Sequence, residues 1–136
     1  MRALLVVAAL LATAAPAEAA GTKITAASSK YGTMLWGPSR QAIYVFEKDG
    51  RNRTNCKGEC AEAWPPVYTS GKPVAGKGVK ASLLGSIRRG DRRQVTYRGR
   101  PLYYYAHEGK GEVRCHNVFL NGGNWWVIGA DGRRRP

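Results

Sequence analysis

The chain has 136 residues, with 22 Lys and Arg against 9 Asp and Glu, which gives a formal net charge of +13. This length predicts one domain, since one core usually takes about 100–200 residues. It excludes a large multidomain enzyme and a polytopic membrane protein. A hydrophobic content of 43% argues against wholesale disorder. The 17 Gly, 7 Tyr and 4 Trp favour strands over long helices.

Residues 1–19 have the pattern of a secretory signal peptide. A positive start is followed by the apolar run 3–15 and by Ala17-Glu18-Ala19, a small-x-small cleavage site. The run is too short for a membrane span, which needs about 20 apolar residues. We therefore expect cleavage after Ala19 and a soluble exported protein, periplasmic or secreted. With no cysteine near the cleavage site, we expect no lipid anchor.

In chain order, the remaining sequence predicts a small, single-domain, mainly antiparallel β protein over residues 31–132. Small polar residues at 20–30 predict a flexible leader, and 133–136 predict a solvated basic tail. Short apolar and aromatic runs bounded by Gly and Pro predict strands, over 31–36, 41–46, 83–88, 92–97, 102–106 and 125–128. A short helical turn is expected at 59–64, where Pro65 stops it.

An aromatic and acidic motif occurs twice in the chain, at an offset of 59 residues. The matched positions are Tyr44 with Tyr103, Phe46 with Tyr105, Asp49 with Glu108, Cys56 with Cys115 and, after two inserted residues, Trp64 with Trp125. Each unit would contain an aromatic strand, an acidic turn, a cysteine loop and a tryptophan. We expect two similar repeats, over about 31–68 and 92–129, paired around one core.

The three cysteines are interpreted in the light of export, because oxidising compartments favour disulfides. Cys56, Cys60 and Cys115 allow three pairings. We favour a Cys56–Cys60 bond, a staple of a short loop that contributes about 2 kcal/mol. Cys115 would then be left over.

A metal-binding or redox protein is the main alternative for the same atoms. Thiolate and imidazole are ligands that copper(I) and zinc prefer, and the chain offers Cys56, Cys60, Cys115, His107 and His116. Their spacings match no common zinc or haem pattern. No metal or cofactor is therefore expected.

The acidic positions of the motif, Asp49 and Glu108, follow strands, where carboxylates commonly accept backbone hydrogen bonds in turns. A pair of carboxylates brought together by the repeat would suit acid–base or glycosidase chemistry. The sequence contains no nucleophile elbow, phosphate-binding glycine loop or HExxH helix. We therefore expect a non-enzymatic protein, and an enzyme acting on envelope carbohydrate is the third interpretation.

The positive charge is the remaining functional indication. A group of arginines lies around the predicted hairpins, at Arg88, Arg89, Arg92, Arg93, Arg98 and Arg100. An excess of this size creates a long-range field. In an exported protein it favours contact with anionic envelope polymers or a lipid surface, and no nucleic acid partner is expected. The chain is therefore interpreted as a binding or accessory protein of the cell envelope.

The repeated motif resembles the Yx(FWY)xxD hallmark of a bacterial family of secreted repeats of unknown function. Two further segments are similar to that family: the cysteine loop followed by Trp64-Pro65-Pro66, and the closing segment Gly122-Gly123-x-Trp125-Trp126. The resemblance covers about residues 30–132 and implies an exported, compact, largely β protein of unestablished role. Two features of this sequence depart from the family. It lacks the lipid-anchor cysteine that many members have, and its second motif ends in Glu108 and not in Asp.

Overall fold

The computed structural model describes residues 3–11 and 21–136. Residues 3–11 form no helix or strand, and apolar side chains such as Leu4 and Leu10 are 93% and 97% exposed. The cleavage site expected at 17–19 lies outside the described residues. Within those that are described, no helix has the length and apolarity to cross a membrane.

The predicted mainly β fold is confirmed, and residues 3–11 and 21–136 contain ten short strands and one short helix. The first five strands are β1 Lys23–Ala27, β2 Met34–Trp36, β3 Tyr44–Phe46, β4 Tyr68–Thr69 and β5 Val74–Ala75. The others are β6 Leu84–Arg89, β7 Arg92–Tyr97, β8 Arg100–Pro101, β9 Val118–Leu120 and β10 Gly123–Val127. The helix is α1, Glu59–Ala63, with 3-10 turns at Pro38–Arg40 and Ala81–Leu83.

The leader expected at 20–30 differs from the structure, because it contains β1. This strand lies between β2, to which it is antiparallel, and β5, to which it is parallel. Ile24 is fully buried, and the Thr22 hydroxyl donates to the Tyr68 carbonyl at 2.7 Å. Burial of the β-branched side chain and pairing on both edges order this segment.

A second sheet is centred on the β6–β7 hairpin. Its turn is at Gly90 (φ +64°) and Asp91, and β4 and β8 pair with β7 on its other side. The expected strand at 102–106 is reduced to one residue. Tyr103 forms isolated antiparallel bridges with Tyr44 and Pro66.

The third sheet, β3-β10-β9, divides the core in two. Side chains alternate across a strand, so Tyr44 and Phe46 join one buried cluster while Ile43 and Val45 join the other. Trp125 packs in the first cluster, and Trp126 packs against the second. Buried side chains therefore pack against both faces of β3 and β10.

The basic tail expected at 133–136 keeps Arg133 and Arg134 exposed, and its backbone folds back onto the end of β10. The Arg135 N–H donates to the Val127 carbonyl at 3.0 Å, and the Gly129 N–H donates to the Arg133 carbonyl at 2.9 Å. Ile128 and Arg134 form an antiparallel bridge. The tail is thereby held beside the third sheet.

Candidate functional site

Two tyrosines of the motif form crossed hydrogen bonds with the two motif carboxylates. The Tyr44 hydroxyl donates to Glu108 Oε2 at 2.9 Å, and the Tyr103 hydroxyl donates to Asp49 Oδ2 at 2.7 Å. Each tyrosine thus bonds the carboxylate that follows the other tyrosine in the sequence. Both tyrosine residues are fully buried.

Each carboxylate also closes a local turn. Asp49 Oδ1 accepts the Asn55 N–H at 2.7 Å, and Glu108 Oε2 accepts the Arg114 N–H at 3.0 Å. In both cases the donor lies six residues after the acceptor. The two carboxylates therefore tie a turn to a buried hydroxyl.

Burial governs the titration of these groups. It raises the pKa of the Asp49 and Glu108 carboxyls above their ordinary values, although hydrogen bonds from Tyr103 and Tyr44 act in the opposite direction. Burial also raises the pKa of the Tyr44 hydroxyl, and the negative charge of Glu108 raises it further. For Tyr103, burial raises the pKa, and so does the Asp49 carboxylate. The tyrosines are therefore protonated donors at neutral pH.

The tryptophans of the motif are stacked at the centre of the first cluster. The Trp64 and Trp125 ring centroids lie 3.8 Å apart with an interplanar angle of 5°. Tyr44 meets the edge of Trp64 at 5.4 Å, and Tyr103 meets Trp125 at 5.2 Å. The stack thus joins the two crossed pairs.

The remaining aromatic positions of the motif cover the outer faces of this stack. Phe46 stacks on Trp125 at 4.2 Å, and Tyr105 packs on Trp64 at 4.6 Å. Pro65 follows Trp64, and its carbonyl accepts the Tyr104 N–H at 2.8 Å. These contacts are reciprocal between matched positions. The two-repeat organisation itself stays a prediction.

The cysteines divide as the sequence favoured. Cys56 and Cys60 form a disulfide, and Cys115 is an unpaired thiol that is 5% exposed. Burial raises the pKa of the Cys115 thiol to about 11. Its backbone N–H donates to the Tyr44 hydroxyl at 3.3 Å, so it lies beside one crossed pair.

The alternative metal ligands are not brought together. Among the residues that the structure describes, no group of three His, Cys, Asp or Glu side chains is placed to hold a metal ion. His116 Nδ1 accepts the Val127 N–H at 3.1 Å, and its ring lies 4.4 Å from that of Tyr31. His107 is exposed and packs edge-on against Tyr105. The nearby histidines therefore contribute to packing.

The predicted arginine group divides into separate environments. Arg89 turns inward, where its guanidinium donates to Thr54 Oγ1 at 2.9 Å, to Gln94 Oε1 at 3.1 Å and to the Cys56 carbonyl. Its neighbour Arg88 is exposed. Arg89 thus braces the disulfide loop and is not a free surface charge.

The next two arginines lie along β7. The Arg92 guanidinium stacks 3.5 Å from the ring centroid of Tyr68. Arg93 Nε donates to Ser86 Oγ at 2.8 Å across the hairpin. Both side chains remain exposed at the sheet surface.

Arg98 and Arg100 line a cleft of about 380 Å³, and two further arginines complete its rim, Arg133 and Arg134. We call this the arginine cleft. Sequence reasoning assigned the last two to a solvated tail. The signal that could have predicted their position in the cleft is the Ala130-Asp131-Gly132 turn, which returns the tail to the sheet.

The floor of the arginine cleft is apolar. It consists of Val45, Trp126 and Ile128. Val45 and Trp126 are directly opposite each other in the β3–β10 pairing, which places their side chains on one face. Neither Asp49 nor Glu108 is among the residues that line this cleft. The two half-buried carboxylates therefore do not line the cleft, although the charge of Arg100 acts on Asp49.

Comparison with known proteins supports the family resemblance. Residues 25–68 match the model of a family described as a secreted repeat of unknown function. This segment contains β2, β3, α1 and the disulfide loop, with most of β1 and the first residue of β4. No significant match was found among the curated proteins or the solved structures. The resemblance predicted from the motif is confirmed over residues 25–68.

Proposed function

We propose that this protein is an exported, non-enzymatic binding or accessory protein of the cell envelope, and that it contacts anionic envelope polymers or lipids. The observation that carries the proposal is the convergence of four arginines on one cleft. The net charge of +13 supports it, because a field of one sign attracts anions over the whole surface. The matched family is described as secreted, which agrees with a location outside the cytoplasm.

The metal or redox alternative has less support. Two of the three sulfurs are joined to each other, and the third is buried with a raised thiol pKa. The carbohydrate-enzyme interpretation requires carboxylates that are free to act on a substrate, whereas the half-buried Asp49 and Glu108 each accept hydrogen bonds from a tyrosine hydroxyl and a backbone N–H. The surface charge is accordingly the better basis for a function.

Retention on lipid vesicles tests the proposal. The exported protein is mixed with phosphatidylglycerol-containing vesicles or with neutral phosphatidylcholine vesicles and is sedimented with them at 50 and 200 mM salt. We expect retention on anionic vesicles only, because each Lys or Arg near such a surface contributes on the order of 1 kcal/mol. Retention should fall steeply with salt, since the Debye length is about 8 Å at physiological ionic strength.

Two results would contradict this function: equal retention on neutral vesicles, or binding that does not change with salt. A teichoic or lipopolysaccharide polymer immobilised on beads provides a second anionic surface. The variant Arg88→Gln and the double variant Arg92→Gln, Arg93→Gln reduce the exposed charge without touching Arg89. They should reduce retention in proportion to the charges removed.

A further inference from the structure

We propose that the arginine cleft is a specific site for a phosphoryl group that carries an apolar attachment. This inference rests on the proposed function and deepens it, because it assigns one place and one ligand chemistry to an anion-binding protein. The shared chemistry is a phosphate monoester or diester, whether from a soluble ester or from a lipid headgroup.

The arginine cleft has the size of a site for a small ligand. Its volume of about 380 Å³ lies within the range of small-ligand sites, about 300–1,000 Å³. The floor of Val45, Trp126 and Ile128 offers an apolar surface to a ring or chain. A bare inorganic anion would leave that floor unused, whereas an apolar attachment would bury it.

The rim of the cleft has the chemistry of a phosphate site. Four guanidiniums can pair with phosphate oxygens in the bidentate manner that makes arginine the preferred partner of phosphate. Asp131 Oδ1 accepts the Arg133 N–H at 3.0 Å and offsets part of this charge. The excess that remains suits a phosphate better than a single carboxylate.

Arg100 has one donor to spare. Its Nη2 donates to the Phe46 carbonyl at 3.3 Å, but its Nε is buried and has no hydrogen-bond partner among the described residues. A buried donor without a partner is costly. The Arg100 charge also acts on Asp49, where it opposes the rise in carboxyl pKa that burial causes.

The backbone of the β7–β8 turn has positive φ angles at Arg98 and Gly99. Arg98 has φ +49° and Gly99 has φ +73°, a conformation in which Asn-Gly is the favoured pair. Arginine is a poor choice there for the backbone alone. Its side chain extends along the cleft, where Nη1 reaches the Asp131 carbonyl at 3.4 Å. Position 98 therefore has an arginine that brings a positive charge to the cleft, although asparagine would suit the turn better.

Trp126 provides the readout. The Arg134 guanidinium lies 4.7 Å from the centroid of the Trp126 ring, so a ligand that engages Arg134 changes the environment of this indole. Binding of phenyl phosphate, inorganic phosphate and phenol to the full exported protein is followed by calorimetry and by Trp fluorescence. We expect phenyl phosphate to bind about tenfold more tightly than inorganic phosphate, and phenol not to bind.

Three single variants remove one positive charge each. Arg98→Asn suits the turn conformation and keeps the fold, and Arg134→Gln removes the cation above Trp126. Arg88→Gln is the matched control, since Arg88 is exposed and lies outside the cleft. We expect the two cleft variants to weaken phenyl phosphate binding about tenfold and the control to leave it within about twofold.

The outcomes separate this inference from the proposed function. Equal weakening in all three variants, or no binding of phenyl phosphate while anionic vesicles still retain the protein, overturns the cleft site and leaves the long-range attraction. Binding of phenyl phosphate without any retention on vesicles supports the cleft and overturns the envelope function. Competition by phenyl phosphate for phosphatidic acid vesicles assigns the site to a lipid headgroup, and its absence assigns it to a soluble ester.

Discussion

Tyr44 and Tyr103 exchange both of their backbone hydrogen bonds. The Tyr44 N–H donates to the Tyr103 carbonyl at 2.8 Å, and the Tyr103 N–H donates to the Tyr44 carbonyl at 3.0 Å. They are therefore a hydrogen-bonded antiparallel pair. Because their hydroxyls then bond Glu108 and Asp49 respectively, each half of the motif is completed by the other half. The backbone pair and the crossed side chains thus connect the two copies of the motif.

The crossed arrangement predicts which double variants couple. Tyr44→Phe should lower the free energy of unfolding by about 1–3 kcal/mol, since it removes a hydrogen bond and leaves Glu108 without this buried partner. In a double-mutant cycle measured by urea unfolding, Tyr44→Phe with Glu108→Ala should show a coupling of about 0.5–3 kcal/mol. The exchanged pair, Tyr44→Phe with Asp49→Ala, should be additive within about 0.5 kcal/mol. Coupling in the exchanged pair instead would refute the crossed bonding.

The raised carboxyl pKa values predict a pH dependence of stability. Burial raises the pKa of the Asp49 and Glu108 carboxyls. In the unfolded chain these carboxyls have their ordinary pKa values of about 3.9 and 4.3. Just above those pH values the folded state therefore still binds protons that the unfolded chain has released. The free energy of unfolding contributed by these groups should therefore fall as pH rises from those values through the folded pKa values, and then level off.

Urea unfolding between pH 4 and pH 7 checks this sign. The difference in stability between the wild type and Glu108→Gln should shift in favour of the variant as pH rises. Asp131 is a separate case, because the Arg133 N–H and the nearby Arg135 and Arg133 charges lower its pKa. Its contribution is lost only as pH falls below the ordinary carboxyl range. A wild-type advantage that grows with pH between 4 and 7 would show that burial does not dominate.

Arg88 and Arg89 should behave differently despite being neighbours. Arg89→Met should lower the free energy of unfolding by about 1.5–3 kcal/mol, because it removes charged hydrogen bonds to Thr54 and the Cys56 carbonyl. Arg88→Met should stay within about 0.5 kcal/mol of the wild type, since that side chain is exposed. Thermal unfolding of both variants provides the measurement, and equal effects would contradict the inward placement of Arg89.

The cysteine arrangement predicts the reactivity of the thiols. Without reductant, the unfolded protein should label one thiol per chain with iodoacetamide, at Cys115. The folded protein should label far more slowly at pH 8, because the Cys115 thiol is buried and its pKa is raised to about 11. Peptide mapping by mass spectrometry should find Cys56 joined to Cys60. Rapid labelling of the folded protein would contradict the burial of Cys115.

Features that depend on near neighbours were predictable from the sequence. The strand expected at 92–97 coincides with β7, and the Gly90-Asp91 turn joins it to β6. Alternating residues and a glycine that adopts positive φ are local signals. The disulfide between Cys56 and Cys60 and the short helix α1 ahead of Pro65 are local in the same way.

The features that the sequence did not predict depend on distant partners. β1 was expected to be flexible because its residues are small and polar, yet it pairs with β5 some 50 residues later. Arg89 was expected at the surface, but the register of β6 places it against Thr54 and Cys56. A sequence pattern gives no information on which distant backbone or side chain will offer an acceptor.

By itself, the sequence determined the mainly β class, the aromatic and acidic motif and the positive charge, because each follows from composition or from short spacing. Only the tertiary structure decided how these parts combine. It crossed the tyrosines with the opposite carboxylates, and it gathered Arg98, Arg100, Arg133 and Arg134 around Trp126. Such juxtapositions come from the pairing of β3 with β10 and the return of the tail onto β10, which bury apolar area across long chain separations.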